Sequence, residues 1–232
     1  MKRPFGISTA LFLALAAGPA PARPADPPAA PLPADEVVAV IRTSTGAPPT
    51  VVTLSRLGEE ARIALVSRGA LGAAAAALDR PALRAALDWL VDQTLLSDEA
   101  ARLDVFRVEP AEAAAEVRRF QERFPSLAEY RAFLARNDLA EEELAAVLRR
   151  TLRVERYVQG RLSRAARVTD AEVEAAWRER PELARRPLDQ QRAAIRARLA
   201  EDRTRAELRA LLGELRARAE VRLLDPLGGP DA

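Results

Sequence analysis

The sequence predicts a mainly α protein, several helices with a small β-sheet formed by the N- and C-terminal segments of its packed region. Three observations carry this. Leu83, Leu87, Leu90, Val91, Leu95 and Leu96 recur at spacings of three and four, which lines one broad face of a helix. Ser126 with Glu129, Asp138 with Glu141 and Thr169 with Glu172 each place a side-chain acceptor three residues before a carboxylate, the pattern of a helix start. Short β-prone runs stand only near the ends, at 37–41, 51–54 and 221–224.

In chain order, Lys2 and Arg3 precede an apolar run from Phe5 to Ala17, and Ala20-Pro21-Ala22 offers small residues where a signal peptidase reads. Residues 1–22 are expected to be an export signal, cut after Ala22. The run falls short of the roughly 20 residues that a permanent membrane helix needs, so no stable membrane insertion is expected and the mature chain is expected outside the cytoplasm. Residues 23–35 form a Pro/Ala-rich leader. The packed domain is assigned to 36–225, and 226–232, with Gly228-Gly229, to a flexible tail.

Val37, Val38, Val40 and Ile41 form one strand, and Val51, Val52 and Leu54 a second; Gly46, Pro48 and Pro49 lie in the turn between. Ser55 is expected to cap a helix running toward Arg68, and the alanines after Gly72 to extend helical structure. Asp79 and Pro81 open the leucine-rich helix, which reaches Leu103. Further helices are expected near 110–123, 127–136, 139–164 and 170–180. A last one over 187–219 turns Ile195, Leu199, Leu208, Leu211, Leu212 and Leu215 toward the protein. A strand at 221–224 beside 37–41 would then tie the two ends of the domain together.

The chain has 36 basic and 34 acidic residues, and the two lysine/arginine residues of the signal have no acidic counterpart there. Beyond Ala22 the charges balance and are interspersed, so no nucleic-acid partner is implied. The same stretch has no histidine, cysteine, lysine or methionine. That removes an imidazole base, a thiolate, a Schiff-base lysine and any His/Cys metal site, and no cofactor is expected. Without a phosphate-cradling glycine loop or lysine, a nucleotide-driven machine is not expected either.

ALDWLVDQTLLSDEAARLDV at 86–105 resembles the long first core helix of the periplasmic chaperone SurA and its parvulin-associated relatives. FPSLAEYRAFLARNDLAEEELAAVLRRTLRVERYVQGRL at 124–162 and VTDAEVEAAWRER at 168–180 resemble the helices that follow there. VVAVIRTSTG and VTLSRL resemble the entry strands and first helix, and VRLLDP the closing segment. The loop RTSTGAPPT departs from the short Asn-Gly turn common in that family. The resemblance implies a SurA-like chaperone core that works without ATP on unfolded or newly exported proteins, possible clients being outer-membrane proteins. The parvulin-type isomerase domain that often follows the VTDAEV helix has no room between Pro181 and Leu188. A non-catalytic adaptor for one dedicated envelope protein is the alternative, and a peptidyl-prolyl isomerase the enzymatic one. The oligomeric state is left open.

Six residues are candidates for contact with a client. Phe120, Phe124, Tyr130 and Phe133 are the densest aromatic group and can converge across the Pro125 turn, either as a small core joining two helices or as the lining of an apolar groove. Trp89 falls outside the tightest alignment of its leucine-rich helix, whereas Trp177, four after Val173, reads as a core contact. Tyr157 lies among Arg149, Arg150, Arg153, Arg156 and Arg161, a solvated basic face or a contact surface for extended peptide. Carboxylates such as Glu142, Glu143, Asp170, Glu172 and Glu174 sit at helix starts, where capping accounts for them.

Overall fold

A computed structural model describes residues 36–43, 46–103, 106–179, 187–224 and 227. The expected signal and leader, and most of the expected tail, lie outside the described residues. The order is β1 (Val37–Arg42), β2 (Thr50–Thr53), α1 (Leu54–Ser67), α2 (Leu71–Ala75), α3 (Arg80–Leu103), α4 (Pro110–Gln121), α5 (Leu127–Arg136), α6 (Glu141–Leu162), α7 (Asp170–Glu179), α8 (Leu188–Arg218) and β3 (Glu220–Leu223). The protein is mainly helical, with a small antiparallel sheet made from its N- and C-terminal segments.

The sheet runs β2-β1-β3. Val40 faces Val51 on one side and Arg222 on the other; Ile41 faces Thr50 and Val221. The register of β1 against β2 shifts between Val37 and Ala39, so the consecutive residues Val38 and Ala39 are both buried. Leu224 extends the β1–β3 pairing by donating its N–H to the Val38 carbonyl at 2.9 Å.

Two helix starts differ from the sequence expectation. The cap of α1 is Thr53, not Ser55: β2 continues to Thr53, whose extended backbone (φ −94°, ψ 163°) presents Oγ1 to the Arg56 N–H at 3.4 Å. Asp138 closes α5 instead of opening α6. Its φ is +46°, it donates to the Ala135 carbonyl, and Leu139 donates to the Leu134 carbonyl at 3.0 Å, which satisfies the orphan carbonyls at the end of α5. The capping carboxylate of α6 is therefore Glu143, which accepts the Ala140 N–H at 2.9 Å. Thr169 and Glu172 do form the expected reciprocal pair, with Thr169 N–H to Glu172 Oε2 at 2.8 Å and Glu172 N–H to Thr169 Oγ1 at 3.4 Å. The alanine run yields only the short α2, which ends in extended backbone at Ala76.

Among the described residues, three apolar clusters form the interior. The first packs the sheet (Val38, Ala39, Ile41, Val52) against the start of α1, the length of α3, the second half of α6 and the second half of α8. The second joins the end of α1 to α2, α4, α5 and the first half of α6. Both α1 and α6 run through the two, so they form one body. The third is small: Val173 and Ala176 of α7 meet Ile195 in the first half of α8, with Trp177, Leu188 and Leu199 around them. Leu227, past the boundary expected at 225, is buried in the first cluster, and its carbonyl accepts from Arg84 Nη2 at 3.1 Å.

Candidate functional site

The four clustered aromatics converge because α4 ends and α5 begins on either side of a short turn. Ring centroids lie 5.8 Å apart for Phe120 and Phe133, 5.3 Å for Phe124 and Phe133, and 5.7 Å for Phe124 and Tyr130. Such separations suit edge-to-face and tilted contacts. Phe120, Tyr130 and Phe133 are buried, which makes them core of the second cluster, while Phe124 is half-buried. As a surface for a client, the group is reduced to Phe124. The Tyr130 hydroxyl has no hydrogen-bond partner among the described residues, and burial raises its pKa, with Glu141 adding to the shift.

Trp89 is half-buried against the first cluster. Tyr157 is buried despite its arginine neighbours, because α6 turns it inward together with Val154 and Val158. Its ring meets Phe106 edge-on at 5.7 Å. Phe106, which sequence reasoning passed over, lies against Gly160: a Cβ there would stand 3.2 Å from the ring. The missing side chain at 160 is the signal that would have found this contact. Two of the five surrounding arginines are engaged at their heads. Arg156 pairs with Glu112 and donates to the Arg107 carbonyl at 2.8 Å, and Arg150 pairs with Glu60.

Glu60 was also missed. Only 3% of its side chain is exposed, yet it receives Arg56 from its own helix at 3.1 Å and Arg150 from α6, a charged clasp between the two helices shared by both large clusters. Its sequence signal was a carboxylate on the apolar face of α1, one turn after Arg56. A cleft of about 250 Å³ opens beside Phe106, lined by Ala100, Ala101, Arg107, Val108, Glu109 and Arg153. Among the described residues, no cluster of acidic side chains is arranged to hold a metal ion. No helix among them is long and apolar enough to cross a membrane.

Exposed apolar side chains concentrate at the sheet. Val51 on β2, Leu223 on β3 and Leu224 just beyond are 46%, 59% and 46% exposed; Leu103 and Leu127 are the other large ones among the described residues. The two edges of the sheet differ. On β2 the Val51 carbonyl accepts Arg56 Nη1 at 3.3 Å, so a side chain occupies one outward carbonyl of that edge. On β3 the charges lie along the outer face: Glu220 is shared by Arg42 at 2.9 Å and Arg222 at 2.7 Å, which lowers the Glu220 pKa, Arg222 first.

The chain matches no family model, no curated protein and no solved structure.

Proposed function

We propose that this protein is a SurA-like, ATP-independent chaperone that shields unfolded or newly exported polypeptides in the periplasm, outer-membrane proteins among them. The observation that carries the reading is the architecture around the termini. Two entry strands lead into a helical body, α7 is followed by α8 after only residues 180–187, and the last strand returns beside the first. That is the element order the resemblance implies for a chaperone core with no isomerase domain inserted. Shielding rests on exposed and half-buried apolar side chains at the sheet, at Phe124 and at Trp89, within a surface of interspersed arginine and carboxylate that keeps a complex soluble. Such contacts are tolerant of client sequence and weak enough to release.

The test is light scattering from a chemically unfolded client diluted into buffer without nucleotide. The chain lacking residues 1–22 suppresses aggregation in proportion to its concentration. It leaves the rate of a protease-coupled prolyl isomerisation assay unchanged. No suppression for any of several unrelated clients overturns the reading, and a contaminant-free rate increase assigns an isomerase instead.

A further inference from the structure

We propose that the outer edge of β3 takes an extended, amphipathic segment of a client polypeptide as a fourth strand of the sheet. The proposal rests on the chaperone reading above and names what one part of its surface binds.

The geometry follows from the register. In an antiparallel pair, residues alternate between exchanging backbone hydrogen bonds with the partner strand and pointing them away. Leu224 bonds to Val38, so the pairs Arg222 with Val40 and Glu220 with Arg42 share its parity and bond inward to β1. Val221 and Leu223 have the opposite parity. Their N–H and C=O groups point away from β1, and among the described residues no strand pairs with β3 on that side. The contrast with β2 is direct, since Arg56 occupies the Val51 carbonyl there. Unpaired edges are templates for another strand, and proteins commonly cover them.

Only an extended backbone meets donors and acceptors at this spacing, which fixes the conformation of the occupant. The side chains fix its chemistry. Val221 and Leu223 lie on the core face of the sheet with Ala39 and Ile41, and Leu223 overhangs the edge, 59% exposed. Apolar residues of an added strand would continue that layer. On the outer face, Arg42 and Arg222 share the single carboxylate of Glu220, and the Arg222 side chain is 72% exposed. An acidic residue on the outer face of the added strand balances this charge. Two outward-facing residues offer four backbone groups, a short template suited to transient capture.

The test uses the chain lacking residues 1–22 and a capped peptide of about eight residues alternating valine and glutamate, with a valine/lysine peptide as comparison. Leu223→Pro removes an outward N–H and spares the inward ladder, a substitution that edge strands tolerate. The valine/glutamate peptide binds the parent chain saturably and more tightly than the lysine peptide. Leu223→Pro weakens it about tenfold or more at unchanged melting temperature. In the parent chain the Val221 and Leu223 amides gain protection from hydrogen exchange when the peptide is added, a reading that decides the matter even where the proline variant fails to fold. Equal affinity for a folded Leu223→Pro variant, or protection confined to other amides, overturns the proposal. So does a concentration-dependent dimer that protects the same amides and excludes peptide, because the edge then belongs to a second copy of the chain. Aggregation suppression by the parent chain, measured in parallel, separates failure of the edge alone from failure of the chaperone reading.

Discussion

The body and the arm formed by α7 with the first half of α8 are held together by different forces, although one 31-residue helix runs through both. In the body, the second half of α8 lays Leu208, Leu211 and Leu215 on α3 and the sheet, and burial is extensive and aliphatic. In the arm, the buried apolar set shrinks to Val173, Ala176 and Ile195. Ion pairs take over: Glu172 accepts from Arg203 Nη2 at 2.6 Å, and Asp170 accepts from Arg192 at 3.3 Å and from Arg196. Exposed pairs contribute little each and are screened by salt, whereas the attraction that buries apolar area is not screened. A continuous helix is thus no guarantee of uniform stability, and the arm is expected to open at a lower free energy than the body.

The chain contains two tryptophans, Trp89 in the body and Trp177 in the arm, so single-tryptophan variants report on each region separately. The largest effect is expected in the body. Leu90→Ala, at a position with no exposure, costs about 2–5 kcal/mol and shifts the denaturant midpoint seen by both fluorophores. Glu60→Ala, at the clasp between α1 and α6, costs about 3 kcal/mol because it strands two guanidinium groups, with solvent at Arg56 and Arg150 holding the loss to the low end. Ile195→Ala costs about 2 kcal/mol and moves the Trp177 signal while leaving the Trp89 midpoint in place. Coincident midpoints in that variant would break the comparison.

The smallest effect is electrostatic. The hydrogen bond from Arg203, helped by the backbone and hydroxyl of Thr169, lowers the Glu172 pKa from 4.5 to about 2. A folded-state pKa below the unfolded one contributes stability that is complete above about 4.5 and is lost as pH falls toward about 2. Over that window the Trp177 signal and the exchange protection of α7 decline. Raising salt at neutral pH loosens the arm in the same direction, with Trp89 unchanged.

Local chemistry was legible in the sequence where one element decided it alone. The spacing of Leu83 to Leu96 and the pairing of Thr169 with Glu172 each gave an element its place. The terminal sheet was legible too, from β-prone runs at both ends. Asp138 misled because its pattern suits two adjoining helices, and the left-handed close of α5 prevailed over the opening of α6. Ser55 gave way to Thr53 because β2 ends in direct contact with α1. At the candidate site, the aromatic convergence was readable from spacing, but its depth was not, since burial of Phe120 and Tyr130 depends on α1 and α6 closing over them. Glu60, Phe106 and the open β3 edge depend on partners far along the chain, which periodicity does not register.

The sheet also dictates a sequence of events in time. Arg42 and Glu220, paired across β1 and β3, stand 178 positions apart. Closing so long a loop costs entropy that grows only slowly with length, but contacts this distant are the slow ones in a folding reaction. A chain delivered from its N-terminus presents β1 and β2 early, with the inner edge of β1 vacant until the final strand arrives. During that interval the nascent protein carries the same hazard as the unfolded chains it is proposed to shield, an unclaimed strand edge beside uncovered apolar side chains.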